Sequence, residues 1–586
     1  MVVFHRSGDA EGRPQRAGSL PYVTRGSLTE DVLERLRAQP DSTAISRWTG
    51  ETWEDMSVQQ FHEAITDLAK GLLAAGVSPG DRMALQSRTR AEWTLLDYAA
   101  WWVGAVTVPL YETWSPEHVA WVIDDAGASW AVVESETATD LGIPTWTMEP
   151  RSGSDLADLV DVGREVDSND LESRRASISA DDVATIIYTS GTTGTPKGCP
   201  LTHGNLVAEV DGAVGMLSEV FESDDAATLL FLPLAHVFAR IIQVGAIRSG
   251  VRLGLTSDVK DLPERFETFQ PTFVLTIPRV LERIFNTASQ RAYADNRGGF
   301  FDRAAQTAIG YSRAIDRGGP GPALRGRHAF FNRTVYPRVR AALGGHVRWV
   351  ITGGAPLGER MAHFYRGIGI TVLEGYGLTE TSAAITVNTP ESNRIGTVGH
   401  PLPQTEMRVA SSGELEVRGP QVFSGYWNDS AATEACLSPD GWFATGDLGD
   451  IDEDGFVRIL GRRKEVLVTA GGKNVSPAVL EDRIRAHPYV SHCLVVGDGK
   501  PFVAALVTID TSNWTGKLSD PELESAIQSA VDEANSVVSQ AEAVRKFVIL
   551  EDDWSEENGY LTPSHKVVRS AILSDFHDTV EALFVR

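Results

Sequence analysis

A run of hydroxyls and glycines, Tyr188-Thr-Ser-Gly-Thr-Thr-Gly-Thr-Pro-Lys197-Gly198, is entered directly from the apolar segment Val183 to Ile187. Its chemistry suits a phosphate group. Gly191 and Gly194 allow a tight turn that brings backbone N–H groups close to an anion, and Thr189, Ser190, Thr192 and Thr193 add neutral donors. Lys197 adds the compensating charge. A Walker A loop is excluded, because Pro196 precedes the lysine and Gly198 follows it where that pattern needs Gly-Lys-Ser/Thr. A flexible Ser/Thr/Gly linker is the ordinary alternative. The strand signal in front and the Pro-Lys-Gly closure weigh against it.

Other residues could complete a nucleotide site. Tyr376, between Gly375 and Gly377, offers an uncrowded aromatic face for stacking a base, although a core tyrosine has the same profile. Asp447 in Trp442-Phe-Ala-Thr-Gly-Asp447 could accept two ribose hydroxyl protons, or simply cap a turn. His236 after Leu232-Pro-Leu-Ala235 and Lys566 after Tyr560-Leu-Thr-Pro-Ser-His565 are equally open to a bland reading, as a core histidine and an exposed lysine. Gly461-Arg-Arg-Lys464 could be a solvated basic triplet. Ala470-Gly-Gly-Lys-Asn474 has the small residues that let backbone approach a thin ligand, or a turn before a helix.

Taken together, in this order, the segments resemble the signature motifs of the adenylate-forming enzymes, the superfamily of acyl-CoA synthetases, peptide-synthetase adenylation domains and luciferases. The resemblance runs from about Thr29 to the C-terminus. It makes ATP the ligand of the 188–198 loop. Glu374-Gly-Tyr-Gly-Leu-Thr-Glu380 resembles the adenine-binding motif, which implies that Tyr376 stacks on adenine, Thr379 touches phosphate and Glu380 ligates Mg2+. A carboxylate beside polyphosphate is how that ion is usually held. By the same resemblance Gly353, Gly354 and Ala355 line the other side of the base, Asp447 binds ribose with Arg462 as companion, and Lys464 is a hinge. His236 is implied to lie near the acyl carboxylate and the α-phosphate, and Lys566 to bridge them during adenylation. Gly471, Gly472 and Lys473 would line the path of CoA.

Ala105 to Tyr111, Leu232 to Arg240, an insertion at 292–327 and Val468 to Asn474 look like the long-chain acyl-CoA synthetases. The reaction implied is fatty acid plus ATP to acyl adenylate and pyrophosphate, then CoA thioester and AMP. Two rivals are an acyl-AMP ligase that loads a carrier protein and a non-catalytic nucleotide-binding scaffold. The intact Glu380, Asp447 and Lys566 argue against the scaffold.

Positioning such groups takes more than one core. A chain of 586 residues, 42% apolar, can bury several. Short apolar runs alternate with helical ones: Arg82–Leu85, Trp93–Val103, Ala105–Leu110, His118–Ala126 and Trp130–Val133. This alternation predicts parallel strands with crossover helices. A helix is expected over Met56–Leu73, a surface connection over 149–180, and a strand from Phe231 running into a helix at His236. Residues 406–460 read as a small β-rich subdomain. After Arg462 come a helix from Pro477, paired strands at Ser491–Val496 and Phe502–Ile509, and long helical stretches. The expected fold class is α/β: a large N-terminal domain (1–462) of α/β subdomains with the β-rich subdomain, and a small mobile α+β C-terminal domain (463–586).

Composition narrows the partners. With 53 basic and 79 acidic residues the formal charge is −26, which repels nucleic acid and anionic lipid through bulk electrostatics. The three cysteines fit no zinc or secreted-disulfide spacing, so a reducing cytoplasm is expected. The apolar patch from Tyr98 to Tyr111 is shorter than the roughly 20 residues of a membrane span. Soluble or at most peripheral behaviour follows, with fatty acid, ATP and CoA as small-molecule partners.

Overall fold

The computed structural model describes residues 26–135, 141–150, 154–189, 196–257, 260–511, 513–562 and 566–585, with a short strand at Val3–Arg6. Two large mixed sheets dominate. In one, strands Thr145–Thr147, Trp130–Val133, Arg82–Gln86, Val106–Leu110 and Val183–Thr189 run parallel, and Lys197–Thr202 closes the edge antiparallel. In the other, six parallel strands run from Thr371–Leu378 through Trp349–Thr352, Phe273–Thr276, Ala227–Leu230 and Arg252–Leu255 to Thr43–Trp48. Antiparallel strands flank both of its edges.

Sequence explains these elements locally. Val106–Leu110 and Phe273–Thr276 are buried at every position, as strands covered on both faces must be. Helix Val58–Ala74 buries Phe61, Ile65, Leu68 and Leu72, one face of a 3.6-residue period. The helix begins at Val58 rather than Met56, because Ser57 and Gln60 form a capping box and Trp53–Ser57 is a strand.

Other expectations need correction. The strand expected at Phe231 ends instead at Leu230, and 231–236 is a loop whose last residue caps helix Val237–Ser249. Pro233, which has no N–H to give a ladder, sits in that loop. The connection at 149–180 holds two helices, Leu156–Val162 and Ser168–Ala176. Its aspartates are caps: Asp155 accepts from Asp158 N, and Asp167 from Asn169 N. The 292–327 segment contributes helix Gly298–Ile315, which packs so tightly on helix Glu359–Gly367 that a Cβ on Gly367 would lie 2.1 Å from the Ala308 carbonyl oxygen.

The β-rich part pairs Glu406–Val409, Glu414–Arg418, Phe443–Ile451 and Val457–Arg462. Beyond it, a three-stranded sheet of Val490–Val496, Val503–Ile509 and Val544–Ile549 packs on helices Pro477–Arg485 and Pro521–Asn535. The third strand falls where only helix was expected. This part has its own cores, one around Leu480, Val507 and Ile527 and one around Leu506, Trp554 and Ile572. Cys199, Cys436 and Cys493 form no disulfide. No helix among the described residues is long and apolar enough to cross a membrane.

Candidate active site

The residues expected to hold a nucleoside converge at the C-terminal end of strand Thr371–Leu378. Tyr376 Oη donates to Asp447 Oδ2 at 2.6 Å, and Arg462 Nε lies 3.1 Å from Asp447 Oδ1. Cross-strand register fixes the second pair, because Asp447 and Arg462 face each other on adjacent antiparallel strands. Asp447 is 3% exposed, and each of its oxygens meets one protein partner while keeping a second lone pair. Burial and the neighbouring carboxylate push the Tyr376 phenol well above its ordinary value. Each charge-assisted bond of this kind contributes roughly 1.5–3 kcal/mol.

The flanking glycines have a second reason to be glycine. A Cβ on Gly377 would fall 1.5 Å from the Ala383 carbonyl oxygen, and one on Gly375 3.0 Å from that of Thr386. Close backbone approach therefore demands glycine at 377 with or without a base to stack. Gly353 is buried against Gly375, whereas Gly354, at φ 79°, and Ala355 are exposed. Glu374 does not point outward: its Oε1 accepts from Leu357 N at 3.0 Å and so pins the 353–357 turn. Burial, opposed by that hydrogen bond, raises its carboxyl to about 7, with Asp482 and Glu359 adding to the rise.

On the phosphate side, strand Val183–Thr189 turns back into Lys197–Thr202, with Thr189 opposite Lys197. Ser190, Gly191, Thr192, Thr193 and Gly194 lie outside the described residues. Lys197 Nζ sits 4.9 Å from the Tyr426 ring centroid and 4.0 Å from Asp429 Oδ2. Tyr426 Oη donates to Glu380 Oε1 at 2.7 Å. Thr379 and Glu380 begin a single 3-10 turn, Thr379–Thr381, that follows strand Thr371–Leu378. Sequence reading missed Tyr426 and Asp429; the only local signal was an aromatic pair, Tyr426-Trp427, directly after Ser424-Gly425.

His236 caps helix Val237–Ser249 with its Nδ1 accepting from Phe238 N at 3.2 Å. Burial and the positive charge of Lys566 push its imidazole down to about 3, so it is neutral near pH 7. Lys566 comes from the C-terminal part. Its backbone is tied to Thr562 by two hydrogen bonds, Thr562 N to Lys566 O at 2.8 Å and Lys566 N to Thr562 Oγ1 at 3.0 Å. The side chain keeps solvent access yet reaches among protein charges. Desolvation lowers the ammonium pKa first, Arg462 lowers it further, and Asp447 and Glu380 oppose them. Lys566, His236, Asp447, Glu380 and Arg462 thus share one electrostatic neighbourhood.

Lys464 is exposed in the turn Arg463–Glu465, beside an Arg463–Glu414 ion pair of 2.7 Å. Gly471, Gly472 and Lys473 form the exposed tip of hairpin Leu467–Val475. Lys473 Nζ lies 3.5 Å from Glu542, so this loop pairs with C-terminal groups and not with the Tyr376–Asp447 pair.

Two further networks were not legible in sequence. Arg240 Nη2 meets Asp97 Oδ1 at 2.6 Å with both side chains buried, and Arg240 also donates to Thr185 and Thr107. This ties the His236 helix to the strand feeding the phosphate loop. Across the two parts of the chain, Arg279 Nη1 lies 2.7 Å from His492 Nε2, and His492 Nδ1 lies 2.9 Å from Asp553 Oδ1. Arg360 Nη2 adds a bond to Ala486 O at 3.0 Å.

The residues present fit MgATP on their own chemistry. Glycine-lined backbone, a buried aspartate beside a tyrosine, and one carboxylate near two lysines suit base, ribose and polyphosphate in turn. No group of three or more His, Cys, Asp or Glu side chains placed to hold a metal occurs among the described residues. A single carboxylate is enough where phosphate oxygens complete the shell.

A large mixed α/β body and a small C-terminal unit that brings a lysine to it define the adenylate-forming class. The chain belongs to the AMP-binding enzymes: the model of that description matches residues 32–427, and that of the AMP-binding enzyme C-terminal domain matches 464–586. It is 46% identical to the long-chain-fatty-acid–CoA ligase FadD15 of Mycobacterium bovis, over 94% of this chain and 96% of the relative. Long-chain-fatty-acid–CoA ligase 6 of Mus musculus is 30% identical over 90% of this chain and 82% of its own length. Among solved structures, ATP-bound MatB from Rhodopseudomonas palustris superimposes with a TM-score of 0.70 at 25% identity, covering 94% of this chain and 99% of MatB.

Proposed function

We propose that this chain is an AMP-forming long-chain-fatty-acid–CoA ligase. A fatty acid carboxylate oxygen attacks the α-phosphorus of ATP and expels pyrophosphate. The CoA thiolate then attacks the acyl carbonyl and releases AMP, the thiol proton passing to solvent. The observation that carries this reading is Lys566, delivered from the C-terminal unit into the charges of Asp447, Glu380 and Arg462. Catalysis here means neutralising charge that grows at phosphorus, and a lysine brought there by the C-terminal unit supplies a compensating charge.

The roles proposed for individual residues come from the motif resemblance, and the geometry described above is compatible with them. Tyr376 with Gly353, Gly354, Ala355, Gly375 and Gly377 receives adenine, and Glu374 supports that pocket by holding its turn. Asp447 and Arg462 take the ribose. Phosphate binding is assigned to Thr189, Ser190, Gly191, Thr192, Thr193, Gly194, Lys197 and Thr379 from the resemblance of their motifs, Ser190 to Gly194 lying outside the described residues. Glu380 is the residue that would hold Mg2+, which when bound screens the polyphosphate charge. Neutral His236 serves as a hydrogen-bonding group near the carboxylate and not as a cation.

We place the domain boundary after Arg462, with residues 1–462 and 463–586 as units and Lys464 as the pivot. Rotation about it withdraws Lys566 and brings Gly471, Gly472 and Lys473 to the thiol path. The Lys473–Glu542 pair lies within the 463–586 unit and would move with it. The setting is a reducing cytoplasm, with peripheral contact to membranes compatible with a lipid substrate.

The test is ATP–pyrophosphate exchange over fatty acids of increasing length, followed by AMP release on adding CoA. Exchange that depends on long acyl chains and AMP release that depends on CoA are expected. A preference for short or aromatic acids overturns the substrate class. Exchange without CoA-dependent release points to a carrier protein as acceptor, and no acid-dependent exchange points to a scaffold.

A further inference from the structure

Helix His203–Met216 follows directly from the strand that bears Lys197, and it buries Glu209 almost completely, at 1% exposure. Glu209 Oε1 accepts a 3.2 Å hydrogen bond from Ala384 N, while Oε2 has no partner. Burial drives the carboxyl strongly towards its protonated form. A carboxyl kept in such a place for one hydrogen bond is costly. Something must make that bond worth keeping.

Ala384 lies just past the turn that presents Thr379 and Glu380. The ladder between Thr371–Leu378 and Ala383–Val387 slips between Tyr376 and Gly377. Beside the slip, Ser382 has φ 58° and Ala383 φ 106°, two successive residues with Cβ atoms in the left-handed half of backbone space. Such backbone persists only where surroundings over-determine it. Several ties are visible, Ser382 N to Thr379 O at 3.0 Å, Phe423 N to Glu380 O at 2.9 Å and Thr381 Oγ1 to Ala383 O at 3.1 Å among them. Thr381 Oγ1 accepts from Leu378 N at 2.9 Å, Ser382 Oγ donates to Gln421 O at 2.8 Å, and Gly377 lets the Ala383 carbonyl press against it. The tie to Ala384 N comes from a helix far away in sequence, through the Glu209 carboxyl.

We propose that Glu209 is a positioning residue for the nucleotide site: by taking the Ala384 N–H it holds the strained Ser382–Ala383 turn in the form that sets Glu380. The phosphate-loop hairpin and the Glu380 turn are thereby locked to one helix. This inference rests on the reading of Glu380 as the magnesium-facing carboxylate, and the test separates the two.

Three variants are compared. Glu209→Gln keeps the acceptor and shape, Glu209→Leu keeps volume and removes the acceptor, and Glu380→Gln is the control for the site itself. Glu209→Met, unbranched and adaptable, replaces the leucine variant should that one not fold. The first readout is amide hydrogen exchange of the peptide 378–387 in nucleotide-free protein. The second is calorimetric affinity for a non-hydrolysable ATP analogue with Mg2+ and with EDTA. Removing the acceptor should speed exchange about tenfold and weaken binding about tenfold in Mg2+, with under about twofold change in EDTA. The glutamine variant should stay within about twofold of wild type in both. Exchange and affinity unchanged in the leucine variant, while Glu380→Gln loses its Mg2+ dependence, overturns the role of Glu209 alone. Full Mg2+ dependence in Glu380→Gln overturns the reading of Glu380 and the functional half of the inference with it.

Discussion

The proposed nucleoside side of the site and the lysine assigned to face it are built on opposite principles. Tyr376, Asp447 and Arg462 sit on adjacent strands, locked by register and by hydrogen bonds of 2.6 and 3.1 Å. Lys566 is held only through its backbone at Thr562, and none of the described side chains hydrogen-bonds its ammonium. One set is preorganised within a single folded body, and the other arrives with a body that has its own cores. A site made this way can disassemble at one side without melting the other. That is what two chemical steps in one cleft require.

The sharpest way to break the comparison is Lys566→Ala. Pyrophosphate exchange should fall by about 10³-fold, while thioester formation from preformed acyl adenylate changes by less than about threefold. Equal loss in both steps would falsify the division of labour. Next comes Asp447→Ala, which strands the Tyr376 hydroxyl and the Arg462 guanidinium together. We expect kcat/KM for ATP to drop about 10²-fold and both half-reactions to suffer, because the preorganised side serves each.

Arg279→Ala probes the contact between bodies. Without its bond to His492, the small unit should sample more orientations, lowering exchange about tenfold and quickening proteolytic nicking near 462–466. Unchanged nicking would place the restraint elsewhere, for instance at Arg360 and Ala486.

The smallest effect is a pH dependence of stability. Glu374 titrates at about 7 and Asp482 at about 6 in the folded chain, both above their ordinary values because burial disfavours the charged form. Between the unfolded and folded values the native state binds more protons. Stability is therefore greatest below about pH 4.5 for this term and declines as pH rises towards 7. Thermal midpoints read from pH 5 to 8 should fall by a few degrees more in wild type than in Glu374→Gln. A variant that tracks wild type at every pH would remove Glu374 from this account.

Much of the architecture was legible because its signals are local. Val106–Leu110 and Trp130–Val133 are unbroken apolar runs, and a strand covered on both faces must read that way. The strand expected at Phe231 failed for a local reason as well, since a proline in the third position cannot donate to a ladder. Missed helices at 156–162 and 168–176 owe their starts to Asp155 and Asp167, which look like ordinary solvated aspartates until their hydrogen bonds from backbone N–H groups are seen. Of the site, the residue types of Tyr376, Asp447, Glu380 and Lys566 were visible, but Tyr426 and Arg240 were not. An aromatic or an arginine in an apolar context carries no mark of what it touches.

Composition and spacing alone determined that this chain has several cores, alternating strands and helices, and one loop suited to phosphate, because those properties depend only on neighbours along the chain. The fold alone decided that Glu374 supports the turn at Leu357, that Glu209 reaches Ala384 across 175 residues of sequence, and that Lys566 comes within the electrostatic reach of Asp447. Such contacts join segments whose chemistry is independent until packing brings them together, and packing is a property of the whole chain.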